Sequence, residues 1–374
     1  MSDTRTFKIT IFGAGPIGMA LAGALVSVGG FDICLVDQMD ELLDPVRALK
    51  LPVTVCVART PDNATTPDKR KSVLVGQDLV VAAVPDHAVA EIAALAAEVG
   101  VHYLDFSRAT PAVLGALQPL AANRAVLTGC GASPGLVDAL TADLIGSFPE
   151  VTDLVIRFGA LPRFPTNRLG YGRIWNIDGL IDEYLLPSTA FRSGRQVTLP
   201  SLEEYERFTI DGVNYEAFMT SGGIGDLGRM PRSLQNMTFK TIRYPGHLDY
   251  MRLLIDDLHL RNRPYVLKGL LNNGLPIIED DVVLVFITAR GEENRQRVER
   301  STLKRLSPAL QANKFNALTR VAAGYAAYLL TLLRQGALPD RGFIDHHQIA
   351  VDPALKSAYL SPFLSAESNP NTQF

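Results

Sequence analysis

Cysteine is scarce in this chain, with three residues in 374, and none of Cys34, Cys56 and Cys130 stands at C-x-x-C spacing. A small odd number of cysteines in segments that read as buried strands or turns argues against a disulfide framework and predicts a reducing compartment. Histidine is scarce too, at six residues, and His346 and His347 are adjacent, so they point apart; no spacing resembles a zinc site, and no metal is expected. Charge of one sign is also missing. The 36 basic and 39 acidic side chains leave a net charge of -3, so no basic excess draws the protein toward phosphate backbones, and no nucleic acid partner is expected. The start, residues 1–6, is polar with the single basic residue Arg5, which lacks the ordered regions of a signal peptide and predicts a cytoplasmic location. One apolar stretch, residues 9–30, approaches the ~20 residues that cross a bilayer. Gly13, Gly15, Pro16 and Gly18 inside it fit a strand, a turn and a helix, so no membrane partner is expected.

What is present is a regular alternation. Short β-branched runs at residues 7–12, 31–36, 53–57, 78–84, 101–106 and 125–128 read as strands, and residues 16–28, 87–99 and 110–120 as helices between them. The runs lack in-out alternation, as strands buried on both faces do. Residues 60–71 read as a polar surface loop. The predicted fold is therefore α/β, an N-terminal Rossmann doubly wound parallel sheet followed by a C-terminal α+β substrate and dimerisation domain. The expected division is 1–130, then 131–315, then a helix and tail over 316–374 that packs back on the first domain. In the second part residues 151–160 read as a strand, 177–184 as a short helix, and 281–289 with 295–303 as paired strands around Gly291, Glu292, Glu293 and Asn294. Residues 261–276 read as a short loop, and the tail after Pro362 is expected to fray. A sheet-rich second domain offers a surface for a two-fold homo-oligomer.

The strongest local signal is Gly13-Ala14-Gly15-Pro16-Ile17-Gly18, a G-x-G-x-x-G after a predicted strand and opening a predicted helix. In that pattern Gly13 permits the turn, Gly15 lets backbone approach a pyrophosphate, and Gly18 lets the helix pack on the strand. The helix start, Pro16 and Ile17, offers its dipole to the phosphate. Asp37 ends the second strand, where a carboxylate accepts the adenosine ribose hydroxyls; its alternative role is a strand-end cap. An acid there disfavours the extra phosphate of NADP, and Gln38 and Met39 supply no cation, so NAD is the expected cofactor, with NADP less favoured. Val84 and Pro85 close the fourth strand at the edge where the coenzyme would run, although Pro85 also serves simply to end the strand.

Four further segments carry a resemblance. They are residues 129–136 (GCGASPGL), 175–184 (WNIDGLIDEY), 216–223 (EAFMTSGG) and 239–247 (FKTIRYPGH). In these, and in their order, the chain resembles the saccharopine dehydrogenase family, within it the lysine 6-dehydrogenase-like oxidoreductases, from about residue 7 to residue 340. The stretch Phe343-Ile344-Asp345-His346-His347 departs from that pattern. The resemblance implies nicotinamide-linked chemistry at the C–N bond of an amino-acid-like small-molecule substrate, as oxidative deamination through an imine. Reductive condensation or cleavage of saccharopine or carboxynorspermidine type is the alternative, and a catalytically silent NAD-binding protein is a third reading.

Hydride transfer belongs to the cofactor, which leaves proton handling and carboxylate binding to side chains. Lys240, Arg243 and His247 lie close together in sequence. Arg243 offers a fork matching two carboxylate oxygens, or else an internal ion pair. His247 could relay a proton or be a hydrogen-bonded scaffold, and Lys240 could bind a carboxylate or be a solvated strand-edge lysine. Asp105, at the end of the fifth strand, could be a general base or cap a helix ahead of Thr110. Glu183 and Tyr184 rank lower, and Cys130 reads as packing rather than as a nucleophile.

Overall fold

The computed structural model describes residues 6–61, 68–225, 230–307 and 315–364. Half of the expected loop at 60–71, residues 62–67, and most of the tail after Pro362 lie outside the described residues, and the end of that expected loop is a short helix, Lys69–Ser72, capped by Asp68. The chain divides into two compact units, Met1–Leu136 with Thr319–Leu360, and Val137–Leu318 with Ser361–Phe374.

The first unit is a parallel sheet. Its strands are β1 (Phe7–Phe12), β2 (Phe31–Asp37), β3 (Thr54–Val57), β4 (Leu79–Ala82), β5 (His102–Asp105) and β6 (Ala125–Leu127). They lie in the order β6-β5-β4-β1-β2-β3, and a two-residue strand, Gly342–Phe343, adds itself in parallel beyond β6. Residues of β4 are buried throughout, as the unbroken Leu-Val-Val-Ala run requires. Helices Pro16–Val28, Asp86–Val99 and Pro111–Ala121 cover the sheet. In the second of these Val89, Ile92, Ala93 and Ala96 are buried at helical spacing. Each fully buried leucine or isoleucine in such a core contributes roughly 1.5–3 kcal/mol against its exposed state. Chain order reverses between β1 and β4, and in an open parallel sheet that switch point is where strand ends leave a crevice for a ligand.

The second unit is a mixed eight-stranded sheet. It contains β7 (Glu150–Pro162), β8 (Ser188–Arg192), β9 (Arg195–Leu199), β10 (Glu206–Ile210), β11 (Val213–Met219), β12 (Asn236–Arg243), β13 (Asp281–Glu293) and β14 (Gln296–Leu306). The main path runs β10-β11-β12-β7-β13-β14, and the β8–β9 hairpin attaches to β12. Only β12 and β7 pair in parallel on that path. Helix Ile177–Leu185 is capped by Asn176, whose side chain accepts the Asp178 N–H at 3.0 Å, and buries Ile177, Leu180, Ile181 and Tyr184 at one-face spacing.

Two further expectations need correction. Residues 261–276 are not a loop: Pro264–Gly274 is a helix with proline in its first turn, burying Leu267 and Leu271 and tied to Asp178 through Lys268. The β13–β14 hairpin turns at Asn294 and Arg295, both with positive φ, rather than over 291–294. Gly291 lies within β13 at a register shift, where an added Cβ would stand 2.0 Å from the Glu150 carbonyl oxygen. Among the described residues no helix is long and apolar enough to cross a membrane.

Candidate functional site

In the first unit the glycine turn meets the geometric demands of its motif. Gly13 has φ +103°, and a Cβ there would lie 2.1 Å from the Ala83 carbonyl oxygen just past β4. At Gly18 a Cβ would lie 2.0 Å from the Gly13 carbonyl oxygen, so only glycine lets the helix sit this near the turn. Gly15 is exposed, and a Cβ on it would meet nothing within 4 Å. The space above Gly15 is open, and no side chain caps the helix that starts at Pro16, with Ile17 and Gly18 in its first turn. A diphosphate fits this arrangement, because it would receive helix N–H groups and the positive end of the dipole without displacing a side chain.

Asp37 closes the turn from β2. Its Oδ2 accepts the Ala14 N–H at 2.9 Å, and its Oδ1 accepts the N–H groups of Gln38 at 2.7 Å and Met39 at 3.4 Å. The carboxylate is therefore held on the turn in a residue that is only half-buried, which suits acceptance of ribose hydroxyls. Val84 is half-buried beside the turn, and exposed Pro85 stands immediately before helix Asp86–Val99.

Asp105 ends β5 and is fully buried. Its Oδ1 accepts the Gly129 N–H at 2.8 Å, its Oδ2 accepts the Tyr103 hydroxyl proton at 3.0 Å, and its carbonyl accepts the Cys130 N–H at 2.8 Å. Burial pushes this carboxyl up to about 7, against the pull of Gly129 and Tyr103, so it holds a proton near neutrality. It caps no helix, since Thr110 caps Pro111–Ala121 with its own hydroxyl. Cys130 is wholly buried, and burial first, Asp105 second, push its thiol far above the ordinary range, which fits packing rather than nucleophilic attack.

In the second unit the trio read from residues 240–247 separates. Lys240 and Arg243 lie an odd number of residues apart on β12 and so leave it on opposite faces. Lys240 is paired with Glu206 at 3.3 Å, and Glu206 is also held by Arg157 at 2.6 Å. It is a buried member of an ion-pair cluster, not a solvated lysine.

Arg243 and His247 come together inside the unit. The Arg243 Nε donates to the Tyr184 hydroxyl oxygen at 3.0 Å, Nη1 donates to Thr241 Oγ1 at 2.8 Å and to the Ile242 carbonyl at 2.9 Å, and Nη2 donates to Glu183 Oε2 at 3.1 Å. The guanidinium also lies over the Tyr171 ring, 4.6 Å from its centroid. Four of the five guanidinium N–H groups are thus engaged within the fold, and no free fork remains for a substrate carboxylate. Of its two roles the internal ion pair is the one the geometry fills. Burial opposes its charge, yet Tyr184, Tyr171 and Glu183 outweigh that and hold its pKa above the usual value.

The His247 ring is 1% exposed, with Nδ1 2.8 Å from the Leu169 carbonyl and Nε2 2.9 Å from the Tyr184 hydroxyl. A carbonyl only accepts, so Nδ1 carries the proton and Nε2 accepts from Tyr184. Burial first, and Arg243 second, lower its pKa to about 3. The result is a one-way chain, from Arg243 through Tyr184 and His247 to Leu169, which makes the histidine a scaffold. Glu183 and Tyr184 are central to this network, and their importance was hidden because helix spacing alone does not say which strand the helix packs on. Glu216 went unnoticed for the same reason: it is buried and accepts the N–H groups of Gly246 and Leu248, both at 2.7 Å.

Comparison with known proteins agrees with this architecture. The family model of the saccharopine dehydrogenase NADP binding domain matches residues 9–126, and that of the saccharopine dehydrogenase C-terminal domain matches residues 131–364. Among solved structures, apo saccharopine dehydrogenase (L-Glu forming) from Saccharomyces cerevisiae is similar with a TM-score of 0.75 at 13% identity, over 94% of this chain and 96% of that one. Homospermidine synthase from Legionella pneumophila, solved in complex with NAD, is similar with a TM-score of 0.65 at 14% identity, over 96% of this chain and 90% of that one. At such identities the structural likeness speaks for the fold alone, and the family models decide membership. The chain belongs to the saccharopine dehydrogenase family.

Proposed function

We propose that the protein is a nicotinamide-dinucleotide-linked oxidoreductase acting on the C–N bond of an amino acid, with NAD as coenzyme and oxidative deamination of lysine type as its reaction. The observation that carries this reading is the open space above Gly15, bordered by an uncapped helix start and by the carboxylate of half-buried Asp37. Membership of the saccharopine dehydrogenase family supports the chemistry. When bound, the nicotinamide accepts a hydride from the carbon that carries nitrogen.

The side chains supply the rest. Gly13, Gly15 and Gly18, with Pro16 and Ile17, seat the diphosphate, Asp37 takes the adenosine ribose, and Val84 and Pro85 border the coenzyme's path. Asp105, fully buried with its two oxygens held by Gly129 and Tyr103, positions the turn that follows β6 in this reading rather than touching substrate. In this reading Arg243 and His247 position residues 169–184 rather than touch substrate, and Lys240 braces the far face of the sheet.

The test is spectrophotometric turnover of the purified protein with NAD and a panel of amino acids that includes lysine. Formation of reduced coenzyme with at least one amino acid is expected. Turnover only when an aldehyde, an amine and reduced coenzyme are supplied together would transfer the assignment to reductive condensation. Coenzyme binding with no turnover in either direction would leave a catalytically silent binding protein.

A further inference from the structure

Arg243 has no fork left for a carboxylate, but the segment it braces carries a second arginine that does. Arg173 is half-buried, and its Nε is buried with no acceptor among the described residues. Every other arginine of the second unit that is described and not exposed faces a carboxylate, as Arg157 faces Glu206 and Arg163 faces Asp280. Among the described residues Arg173 faces none. A guanidinium taken partly out of water, with a buried N–H that nothing accepts, is costly in the free protein, and an anionic ligand would relieve that cost.

The backbone that roots this side chain is fixed from several sides. The Arg173 N–H donates to the Pro276 carbonyl at 2.8 Å and its carbonyl accepts the Ile278 N–H at 3.1 Å, so that Arg173 pairs with Ile277. Just before it, Gly172 lies so near Ile278 that an added Cβ would stand 2.3 Å from the Ile278 Cγ1. Just after it, the Ile174 carbonyl accepts from Asn316 Nδ2 at 2.6 Å. Leu169 and Tyr171, earlier in the same stretch, are held by His247 and Arg243. Apolar surface adjoins the cation: Ile277, its pair, is 68% exposed, and Trp175, two residues on, is 37% exposed.

We propose that Arg173 is the substrate-carboxylate receptor of the second unit, a specificity residue that favours an amino acid over the corresponding plain amine. The proposal rests on the amino-acid reading above and narrows it to a residue. A guanidinium with a rooted backbone and no internal partner offers its donors to two carboxylate oxygens, and little further ordering of the chain is required when the ligand arrives. Ile277 and Trp175 supply apolar cover for a carbon chain attached to that carboxylate. Nearby Lys268 is paired with Asp178 and does not compete. Sequence reading passed over Arg173 because it stands apart from the cationic cluster at 240–247, and its want of a partner exists only in the folded chain.

The experiment is calorimetry on the full chain with NADH present, so that no amino acid is oxidised. Amino acids of the turnover panel are compared with their decarboxylated amines, 1,5-diaminopentane in the case of lysine, on wild type, Arg173→Lys and Arg173→Met. Wild type is expected to bind at least one amino acid about tenfold or more tightly than its amine, and Arg173→Met to remove most of that difference, with Arg173→Lys between. The Tm of Arg173→Met is expected at or above that of wild type, because the variant removes a buried donor that had no acceptor. The proposal is overturned if Arg173→Met weakens amino acid and amine alike, or if no amino acid binds wild type more tightly than its amine. A lower Tm with the carboxylate preference intact would likewise overturn it and mark a structural arginine. Absence of turnover with any amino acid, together with a carboxylate preference that depends on Arg173, would refute oxidative deamination and leave this site standing.

Discussion

At His247 one ring nitrogen is tied to a backbone carbonyl and the other receives a tyrosine proton, so the neutral ring satisfies both neighbours and a second proton would break one contact. Its pKa of about 3 lies well below the ~6.5 of an unfolded chain. As pH falls from ~6.5 toward ~3 the unfolded chain therefore gains a proton the native ring refuses, and stability is lost over that window. Urea unfolding of wild type and His247→Gln should show the wild type losing more stability than the variant between about pH 7.5 and about pH 5; equal losses would refute the buried neutral ring. Asp105 has the opposite sign. Its pKa of about 7 stands above the unfolded value of ~3.9, so its contribution to stability is present in acid and declines as pH rises toward neutrality. In urea unfolding, Asp105→Asn should remove the part of the stability lost between about pH 4 and about pH 7. An unchanged pH dependence of stability in that variant would refute the raised pKa of Asp105. Tyr184→Phe should cost about 1–3 kcal/mol, since it strips a partner from both Arg243 and His247. The residue types of this network were visible in the sequence, but their roles were not, because Leu169, Tyr184 and His247 meet only after folding.

The elements show where local rules sufficed. The strands of the parallel sheet and the helix Pro16–Val28 follow from continuous apolar runs and from glycine spacing, and their observed bounds agree with that reading to within a residue or two. Two glycines of one turn should respond differently to substitution. Gly15→Val should abolish coenzyme binding with little change in Tm, because a side chain enters open space. Gly18→Ala should lower stability by about 2 kcal/mol or more, because its Cβ strikes the Gly13 carbonyl. Thermal melts paired with coenzyme titration distinguish the two, and a reversed pattern would show the turn to be misassigned. In the second unit the hairpin signals Ser193-Gly194 and Asp211-Gly212 were present, and all four residues adopt positive φ, yet the flanking strands are too polar to advertise themselves. Strand alternation would also have separated Lys240 from Arg243, had β12 been recognised as a strand.

On the scale of the molecule, the first unit is discontinuous in sequence. Thr319–Leu360 belongs to it, with Arg334 donating to the Gly29 carbonyl at 3.1 Å and His346 to the Thr128 carbonyl at 2.8 Å, while Phe343 pairs with Val126. The stretch 343–347, expected from the sequence to depart from the family pattern, lies within the residues that the C-terminal family model matches, and it supplies a strand and a histidine pin at the end of β6. A fragment of residues 1–136 is expected to lack a cooperative unfolding transition, which calorimetry would check; a sharp transition like that of the full chain would show the later segment to be dispensable. The sequence by itself determined the α/β class, the alternation of strands and helices along the first part of the chain and the glycine turn with its acid, because these depend on periodicity and on backbone freedom over a few residues. Only the tertiary structure decided that Arg243 is engaged internally, that His247 is a scaffold and that Lys240 lies on the other sheet face. Each of those facts is a hydrogen bond or strand register between segments distant in the chain, and no short-range pattern encodes which distant partner a side chain will meet.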